Sequence, residues 1–187
     1  MNTEQIGVWR DLLGWLDGWF EPEKVASHAF DRAKSELFQE IARAWRATDD
    51  KIEALEFVSA SHGRARVLDL IGRLCADETS AHWASLTARE GRSLDDLVRL
   101  LWEPLPGQGF EFKMERTPDS LRIHCTSCPQ HDLAAAIGGE EWLYALVCST
   151  DLHVCATFDP PIRFERTKTL MQGDAYCDHT YLVETPA

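Results

Sequence analysis

The spacing of apolar residues predicts helices along the first half of the chain. In residues 23–45 the apolar side chains recur mostly three or four positions apart, which is the stripe of an amphipathic helix. Pro22 suits the first turn of that helix, Gly63 suits the end of a second helix, and Ser93 can cap a later one. The further predicted helices cover residues 51–60, 65–76 and 94–102.

In the second half the hydrophobic period changes to two, which is typical of strands with one buried face. GFEFKMER, residues 109–116, alternates apolar and charged side chains, and LRIHC, residues 121–125, alternates again after a turn that contains Pro118. Residues 109–125 are therefore predicted to form a hairpin.

The segment after this hairpin is predicted to be helical, and a second hairpin follows it. Residues 132–158 have the character of a short helix and a longer one, separated at Gly138 and Gly139. Pro160 cannot continue the longer helix, so the helix is expected to end before it. The strands and turn predicted for the second hairpin are residues 162–170, residues 176–184 and Gly173.

Together these elements predict an α+β protein. A helical N-terminal region, residues 1–105, would precede an α+β domain of residues 106–187. In that domain the order hairpin, helices, hairpin predicts a four-stranded antiparallel sheet packed by helices. The stretch EPLPGQG, residues 103–109, is the predicted boundary between the two.

The composition narrows the range of partners. The chain has 31 acidic against 19 basic residues and a formal charge of −12, which disfavours binding to nucleic acid phosphates. A hydrophobic fraction of 44% and seven Trp indicate a folded core. No apolar run reaches the roughly 18 residues of a membrane span, and the first residues lack the pattern of a signal peptide. We therefore expect a cytoplasmic protein with a small-molecule substrate, and neither nucleic acid nor a membrane as its partner.

Three tryptophans near the start of the chain bear on the oligomeric state. Trp9, Trp15 and Trp19 fit either a hydrophobic core or the face of a homodimer. The core is the more common place for such side chains, and the sequence leaves a homodimer open.

Cysteine is concentrated near the end of the chain, where five of the six cysteines follow residue 124. Disulfides are rare in the cytoplasm, so this placement favours a local thiol or metal role over scattered core positions. Cys125 and Cys128 form a C-x-x-C motif followed by Pro129, which suits a shared metal or a redox pair. A structural zinc site would need a second pair with similar spacing, which the chain lacks.

Cys148 and Asp151 are three positions apart in a segment predicted to be helical, so they would share one helix face. A carboxylate beside a thiol can accept its proton or bind a metal with it. Cys155 falls on the same face and is a candidate for the outer part of such a site, although a core position is more common for it. The simpler alternative is a buried Cys148 with a solvated Asp151.

The last predicted strand carries a third candidate pair. Cys177 and His179 alternate on one of its faces, and Asp178 lies on the other. A thiol and an imidazole on one face have the composition of a nucleophile with its base, or of two metal ligands. Asp174, beside the Gly173 turn, is expected to accept hydrogen bonds from backbone amides of that turn.

Three segments carry a resemblance to a known family: Cys128-Pro129, LVCSTD at residues 146–151, and DPPIRFERTKTLMQGDAYCDHTY at residues 159–181. Taken together they resemble the L-2-amino-thiazoline-4-carboxylic acid hydrolases. The likeness covers roughly the last 80 residues, the part predicted to be α+β, and residues 164–177 are its most specific part. It implies that the protein hydrolyses a five-membered ring containing sulfur and nitrogen, opening 2-amino-thiazoline-4-carboxylate to an N-carbamoyl cysteine.

The resemblance also implies which residues could act. The family pattern offers Cys128, Cys148 and Cys177 as thiol positions, and Asp151 and Asp174 as carboxylate positions. Opening an amidine-like C=N bond requires water or a thiolate to add at the carbon, an acid for the ring nitrogen and a cation for the substrate carboxylate. The candidates are Cys177 or Cys148 for addition, Asp151 or His179 for proton transfer, and Arg163 or Arg166 for the carboxylate.

A different class of function would use the same residues. Cys128, Cys148 and Cys177 are candidate ligands for an iron-sulfur cluster with one open iron or for another metal. The protein would then be a desulfurase, a lyase or a sensor without thiazoline hydrolysis, and a C-x-x-D motif followed by a distant Cys is locally similar to alkylmercury lyases. A bound divalent metal could also activate water for hydrolysis. The sequence leaves the cofactor open between none, a divalent metal and an iron-sulfur cluster.

Overall fold

The structure is a computed structural model that describes residues 16–21, 23–24 and 30–184. Residue contacts divide the chain into two compact units, which meet in sequence between Leu74 and Cys75. The predicted domain boundary between residues 105 and 106 stays a prediction. No helix among the described residues is long and apolar enough to cross a membrane.

The first helices are α1 (Arg32–Ala47), α2 (Lys51–His62) and α3 (Arg64–Glu90). Asp31 is extended and caps α1, because its carboxylate accepts the N–H of Lys34 at 3.0 Å. The helix predicted over residues 23–45 is therefore interrupted just before Arg32, and its predicted start at Pro22 lies outside the described residues.

The core of the first unit is aromatic and aliphatic. Trp45 on α1 is buried and stacks on Phe20 with 4.6 Å between the ring centroids. Trp19 is also buried, whereas Trp9 and Trp15 lie outside the described residues.

Two predicted helix boundaries are confirmed, the end of one helix and the start of another. Gly63 ends α2 with φ at 86°, a conformation that favours glycine, and its N–H donates to the Ser59 carbonyl at 2.8 Å. Ser93 forms a capping box with Asp96 at the start of α4 (Leu94–Leu97), and a π-helical turn over Val98–Trp102 continues α4.

The second unit is built on a sheet. The remaining elements are β1 (Glu111–Arg116), β2 (Ser120–Ser127), α5 (Pro129–Ile137), α6 (Glu140–Leu146), α7 (Asp151–Cys155), β3 (Ile162–Glu165) and β4 (Cys177–Val183). The described strands form an antiparallel four-stranded sheet in the order β1-β2-β4-β3. This confirms the predicted α+β class, the sheet and both hairpin pairings.

The inner face of the sheet is set by the register of its two central strands. Cys125 lies opposite Cys177, Ile123 opposite His179 and Leu121 opposite Tyr181. All six side chains are buried, because residues of α4, its π-helical turn and α7 pack on this face. Cys177 and His179 therefore share the inner face, as the period of two predicts.

The second hairpin differs from its prediction in the connection. Residues 166–176 form a long loop instead of extending both strands to the turn. Asp178 explains this difference, since its carboxylate accepts the amides of Thr167 at 2.8 Å and Lys168 at 2.5 Å. These two amides therefore donate to the side chain of Asp178 and not to the backbone of a neighbouring strand. Gly173 has a φ of 89° within the loop.

The longer helix predicted after Gly139 is also interrupted. Helix α6 ends at Leu146, a 3₁₀ turn covers Cys148–Thr150, and α7 begins at Asp151. The hydroxyl of Ser149 donates to a carbonyl in the turn before it at 2.8 Å, and the hydroxyl of Thr150 does so at 2.6 Å. Such side-chain bonds compete with a continuous helix. Cys148 and Asp151 therefore lie on successive turns and not on one helix.

Candidate functional site

Asp151 and Arg166 form a buried ion pair in the second unit. Arg166 Nη1 donates to Asp151 Oδ2, and its Nη2 donates to the carbonyl of Cys148 at 2.9 Å. The side chain of Arg166 is only 7% exposed, and that of Asp151 is 21% exposed. The Cζ of Arg166 lies 5.4 Å from the ring centroid of Phe164 and 5.8 Å from that of Tyr144. The structure thus brings together two predicted site residues, Asp151 and Arg166.

Burial changes the acidity of Asp151. It raises the pKa of the carboxyl group to about 6, although the charge and hydrogen bond of Arg166 act in the opposite direction. A carboxyl group with this pKa is mostly ionised at neutral pH and is a stronger base than an ordinary Asp. Asp151 also keeps 21% of its side chain exposed, so water reaches it although protein surrounds it.

His179 lies beside the ion pair on the inner face of β4. Its Nε2 is 3.5 Å from Arg166 Nη1 and 3.7 Å from Asp151 Oδ2. Burial, helped by the charge of Arg166, lowers the pKa of His179 to about 3, so the ring is neutral at physiological pH. Nε2 thus lies beside the guanidinium of Arg166, which only donates hydrogen bonds, and beside the carboxylate of Asp151, which only accepts them. We infer that His179 holds the ion pair in position and is a weak base.

Cys148 and Cys177 are close enough to the ion pair for its charges to act on both thiols. Burial raises the pKa of Cys148 strongly, and the negative charge of Asp151 raises it further. Burial also raises the pKa of Cys177, but the Leu170 amide and Arg166 both favour its charged form. The Leu170 N–H donates to Cys177 Sγ at 3.3 Å. Both thiols are therefore protonated in the free protein, and Cys177 has the better support for a negative charge.

The C-x-x-C motif reaches the edge of the same region. Cys125 is paired across the strands with Cys177, and burial raises its pKa to about 12. Cys128 precedes α5, where the amides of Gln130 and His131 favour its thiolate, but burial outweighs them and raises its pKa to about 11. These thiols are therefore protonated at neutral pH as well.

The predicted metal ligands do not form a metal site. In the part of the chain that the structure describes, no three Cys, His, Asp or Glu side chains are placed to hold one ion. This includes the predicted set Cys128, Cys148 and Cys177. We therefore derive no step through a metal or an iron-sulfur cluster, and the cofactor stays as open as the sequence leaves it.

Two other candidates have structural roles. Cys155 is fully buried in the core of the second unit, together with Val154 and Phe158. Asp174 accepts the amide of Thr169 at 2.8 Å within the loop before β4. The expectation that Asp174 serves its turn is therefore confirmed.

Both arginines predicted to hold a substrate carboxylate are paired with acidic side chains of the protein. Arg166 is bound to Asp151 and to the Cys148 carbonyl. Arg163 lies on β3 with its side chain 56% exposed, and it pairs with Glu165 at 2.7 Å. The structure thus pairs Arg163 with Glu165 and not with Asp151.

A cavity of about 510 Å³ lies in the second unit, and two of its lining residues contact site residues. Its wall includes Tyr144, whose ring lies against Arg166, and Leu170, whose amide donates to Cys177. The other lining residues are His131, Glu140, Glu141, Met171, Gln172 and Gly173. A small molecule in this cavity would lie next to the groups that hold Asp151 and Cys177.

Three aromatic residues of this region were not predicted from the sequence. Tyr144 contacts Arg166, while Trp102 and Tyr181 pack near His179. Tyr144 and Trp102 belong to apolar helical patterns that give no sign of a site. Tyr181 follows Cys177 and His179 on the same face of β4, so strand alternation could have pointed to it.

The family comparison agrees with the resemblance seen in the sequence and extends it. A family model described as L-2-amino-thiazoline-4-carboxylic acid hydrolase matches residues 46–181. The match therefore covers most of the chain and not only its C-terminal part, and it includes Cys148, Asp151, Arg166, Cys177 and His179. No curated protein and no solved structure matches the chain.

Proposed function

Since the chain belongs to the L-2-amino-thiazoline-4-carboxylic acid hydrolase family, we propose that it opens the ring of 2-amino-thiazoline-4-carboxylate or a close analogue by hydrolysis. The observation that carries the proposal is the buried ion pair of Asp151 and Arg166, in which the pKa of Asp151 is raised to about 6. Carboxyl groups with a strongly perturbed pKa are typical of catalytic sites.

The reaction needs a base at the start and a proton donor at the end. Water adds to C2 of the ring while the base takes one of its protons, so the C=N bond becomes a single bond and N3 takes up a proton from the solvent. The C2–S bond then breaks, and the hydroxyl group on C2 becomes a carbonyl by releasing its proton to the solvent, which replaces the one that N3 took up. The sulfur leaves as a thiol with the proton that the base took from water. The product is an N-carbamoyl cysteine, and one water molecule is consumed.

Asp151 is the proposed base. Its carboxylate takes a proton from the attacking water, and the protonated carboxyl group can return that proton to the leaving sulfur. Arg166 keeps the carboxylate in one orientation and compensates its charge in a buried position. His179, neutral and in contact with both, supports this arrangement.

Water is the proposed nucleophile, because burial keeps the nearby thiols protonated. Cys148 has the stronger shift, and the charge of Asp151 further opposes its ionisation. Cys177 and Cys148 would then line the site as neutral groups against the ring.

Replacing Cys177 or Cys148 by Ser should therefore reduce kcat by less than about tenfold, since neither thiol is the attacking group. Steady-state kinetics of C177S and C148S measure this. Cys155→Ser, in the core at the end of α7, is the control for merely disturbing the fold. A loss of about a thousandfold in C177S or C148S with unchanged thermal stability would identify a thiol nucleophile and contradict direct attack by water.

The function itself is tested by incubating the purified chain with 2-amino-thiazoline-4-carboxylate. We expect one new thiol per substrate consumed, measured with a thiol-reactive dye, and a product whose mass exceeds that of the substrate by one water. Prior dialysis against a chelator should leave the rate unchanged. Absence of both thiol and product across neutral pH would contradict the proposed activity.

A further inference from the structure

The outer face of the sheet, opposite the face on which α4 and α7 pack, carries a second cavity. This outer cavity has a volume of about 440 Å³, within the range of roughly 300–1,000 Å³ that is common for small-molecule sites. It is formed by β1, β2, β4 and the end of the loop before β4. Its lining includes Lys113, Glu115, Arg122, His124, Tyr176 and Thr180.

The register of the strands places the side chains of the outer cavity in two rows across the sheet. The first row consists of Lys113, His124 and Asp178, and the second consists of Glu115, Arg122 and Thr180. Side chains directly opposite one another on neighbouring strands have their Cβ atoms about 5 Å apart, and long side chains also reach the diagonal positions. One compact group in the cavity would therefore lie within reach of both rows.

Two cationic side chains of the outer cavity have no counterion. The side chains of Lys113 and Arg122 form no ion pair or hydrogen bond with the described part of the chain, although acidic residues outnumber basic ones by 31 to 19. Glu115 lies opposite Arg122 in the register, yet these two side chains are not paired with each other. Lys113 and Arg122 are both exposed, so an anion from solution can reach them.

The other carboxylate at the outer cavity, that of Asp178, is bound to the loop after β3. It accepts the amides of Thr167 and Lys168 and, at 2.6 Å, the hydroxyl of Thr167. The oxygens of Asp178 are therefore occupied by donors of the loop. Of the residues that line the cavity, Glu115 is the remaining acidic one.

Two hydroxyl groups add further donors. Tyr176 Oη lies 2.9 Å from Lys168 Nζ. An ammonium group only donates, so the Tyr176 hydroxyl accepts this bond and keeps its own proton for another acceptor. The Thr180 hydroxyl has no hydrogen-bond partner within the described ranges. The outer cavity thus offers two cations and two hydroxyl donors.

We propose that the outer cavity binds the phosphate group of a small phosphorylated compound. A phosphate ester carries a charge of about −1.5 to −2 and three acceptor oxygens, which suit two cations and two hydroxyl donors. The planar guanidinium of Arg122 can donate two parallel hydrogen bonds to such a group, and Lys113 supplies a second positive charge. The rings of His124 and Tyr176, whose centroids are 4.0 Å apart, form the wall that the rest of the compound would contact.

This site goes beyond the proposed hydrolysis. Cys177 and His179 face the inner side of the sheet, and His179 lies beside Asp151 and Arg166 there. Arg122 and Thr180 alternate with the inward-facing residues of β2 and β4 and belong to the opposite face. A phosphate at the outer cavity would therefore leave the proposed base accessible.

The test is a titration of the full chain with inorganic phosphate and with glycerol 3-phosphate, followed by nitrogen-15 NMR at constant ionic strength. We expect saturable shifts of the Arg122 Nε–H resonance and of the backbone amides of His124 and Thr180. Sodium chloride at the same ionic strength should leave these resonances in place. Equal shifts with chloride, or no saturable shift with either phosphate, would overturn the site.

Two exposed substitutions change the charge of the outer cavity in opposite directions. Arg122→Gln should weaken phosphate binding by about tenfold, because it removes a charged bidentate donor. Glu115→Gln should strengthen phosphate binding by about threefold, because it removes a repelling carboxylate. Arg32→Gln is the matched control, since Arg32 is 92% exposed and pairs with Glu36 on α1. Its affinity should equal that of the wild type, and an Arg122→Gln variant that binds phosphate as well as Arg32→Gln would contradict the proposal.

Two further probes test the class of the ligand. Succinate carries two negative charges without a phosphate, and its binding more tightly than glycerol 3-phosphate would overturn the assignment of phosphate. A short single-stranded oligonucleotide that binds more tightly than glycerol 3-phosphate, and loses this affinity in Arg122→Gln, would overturn the assignment of a small compound. Saturable phosphate binding that Arg122→Gln weakens would support the site whether or not the chain hydrolyses thiazolines, so the two proposals fail separately.

Discussion

Asp151→Asn is expected to reduce kcat for ring opening by a factor of about 10²–10⁴, because the amide cannot take the proton of the attacking water. The substitution keeps the size of the side chain and its contact with Arg166. KM should change little, since Asp151 is assigned to proton transfer and not to substrate binding. Steady-state kinetics at pH 7.5 with a thiol-release assay measure both constants.

Asp151→Asn also leaves the buried charge of Arg166 without its counterion, so the melting temperature must be measured alongside. The control is Asp95→Asn, which changes an aspartate that is 70% exposed and paired with Arg116. Asp95→Asn should have wild-type kinetics. Should folded Asp151→Asn retain wild-type kcat, Asp151 would not be the base.

Among single substitutions of Cys148, Asp151, Arg166, Cys177 and His179, Arg166→Met is expected to be the most destabilising. Breaking a buried ion pair by removing one partner typically costs about 3–5 kcal/mol of unfolding free energy, because the other charge stays buried. The loss of the guanidinium also removes the cation that opposes the rise in the pKa of Asp151. We therefore expect Arg166→Met to unfold at a lower denaturant concentration and to lose most of its activity at pH 7.

A double variant separates the effect of the unpaired charge on stability from the effect of lost packing. Asp151→Asn combined with Arg166→Met leaves no buried charge at this place, so it should regain much of the stability that Arg166→Met loses, yet remain inactive. Arg163→Met is the matched control, because Arg163 is 56% exposed and its ion pair with Glu165 should contribute less than about 1 kcal/mol. Equal destabilisation by Arg163→Met and Arg166→Met would contradict the importance of the buried pair.

Much of the sheet follows from the sequence alone. The period of two in residues 109–116 and 121–125 correctly predicts the first hairpin. In residues 121–125 it also marks the buried side chains, whereas in β1 Phe112 is only partly buried and Met114 is exposed. The same alternation places Cys177 and His179 on the inner face of β4, and the structure confirms it. These features are local, because the alternation of apolar and polar side chains in a strand with one buried face is visible in consecutive residues.

The features that differ from prediction arise from side chains that bind the backbone. The break after α6 depends on the hydroxyls of Ser149 and Thr150, and the early end of β3 depends on the carboxylate of Asp178. Hydrophobic periodicity does not report such bonds. Because β3 ends early, the residues after it form a loop. This loop gives Arg166 its inward position.

The site itself is only partly visible in the sequence. The candidates Cys148, Asp151, Cys177 and His179 follow from residue types and spacing, and all four lie near Arg166. Their charge states could not be predicted, because they depend on burial by distant segments. Trp102 belongs to the π-helical turn after α4, far from β4 in the sequence, so its contact with His179 is a tertiary one.

The most direct test of the central claim, that Asp151 is the base of a hydrolytic site, is the pH dependence of kcat/KM for 2-amino-thiazoline-4-carboxylate. Only the ionised carboxylate accepts a proton, so kcat/KM should fall about tenfold for each pH unit below the pKa of Asp151 and level off above it. With the pKa of Asp151 raised to about 6, the rising limb should be centred near pH 6. His179, with its pKa lowered to about 3, should add no second step between pH 4 and pH 7. A profile that is flat from pH 4.5 to pH 7.5, or one that instead rises only above pH 8 as for a thiolate, would contradict the assignment of Asp151 as the base.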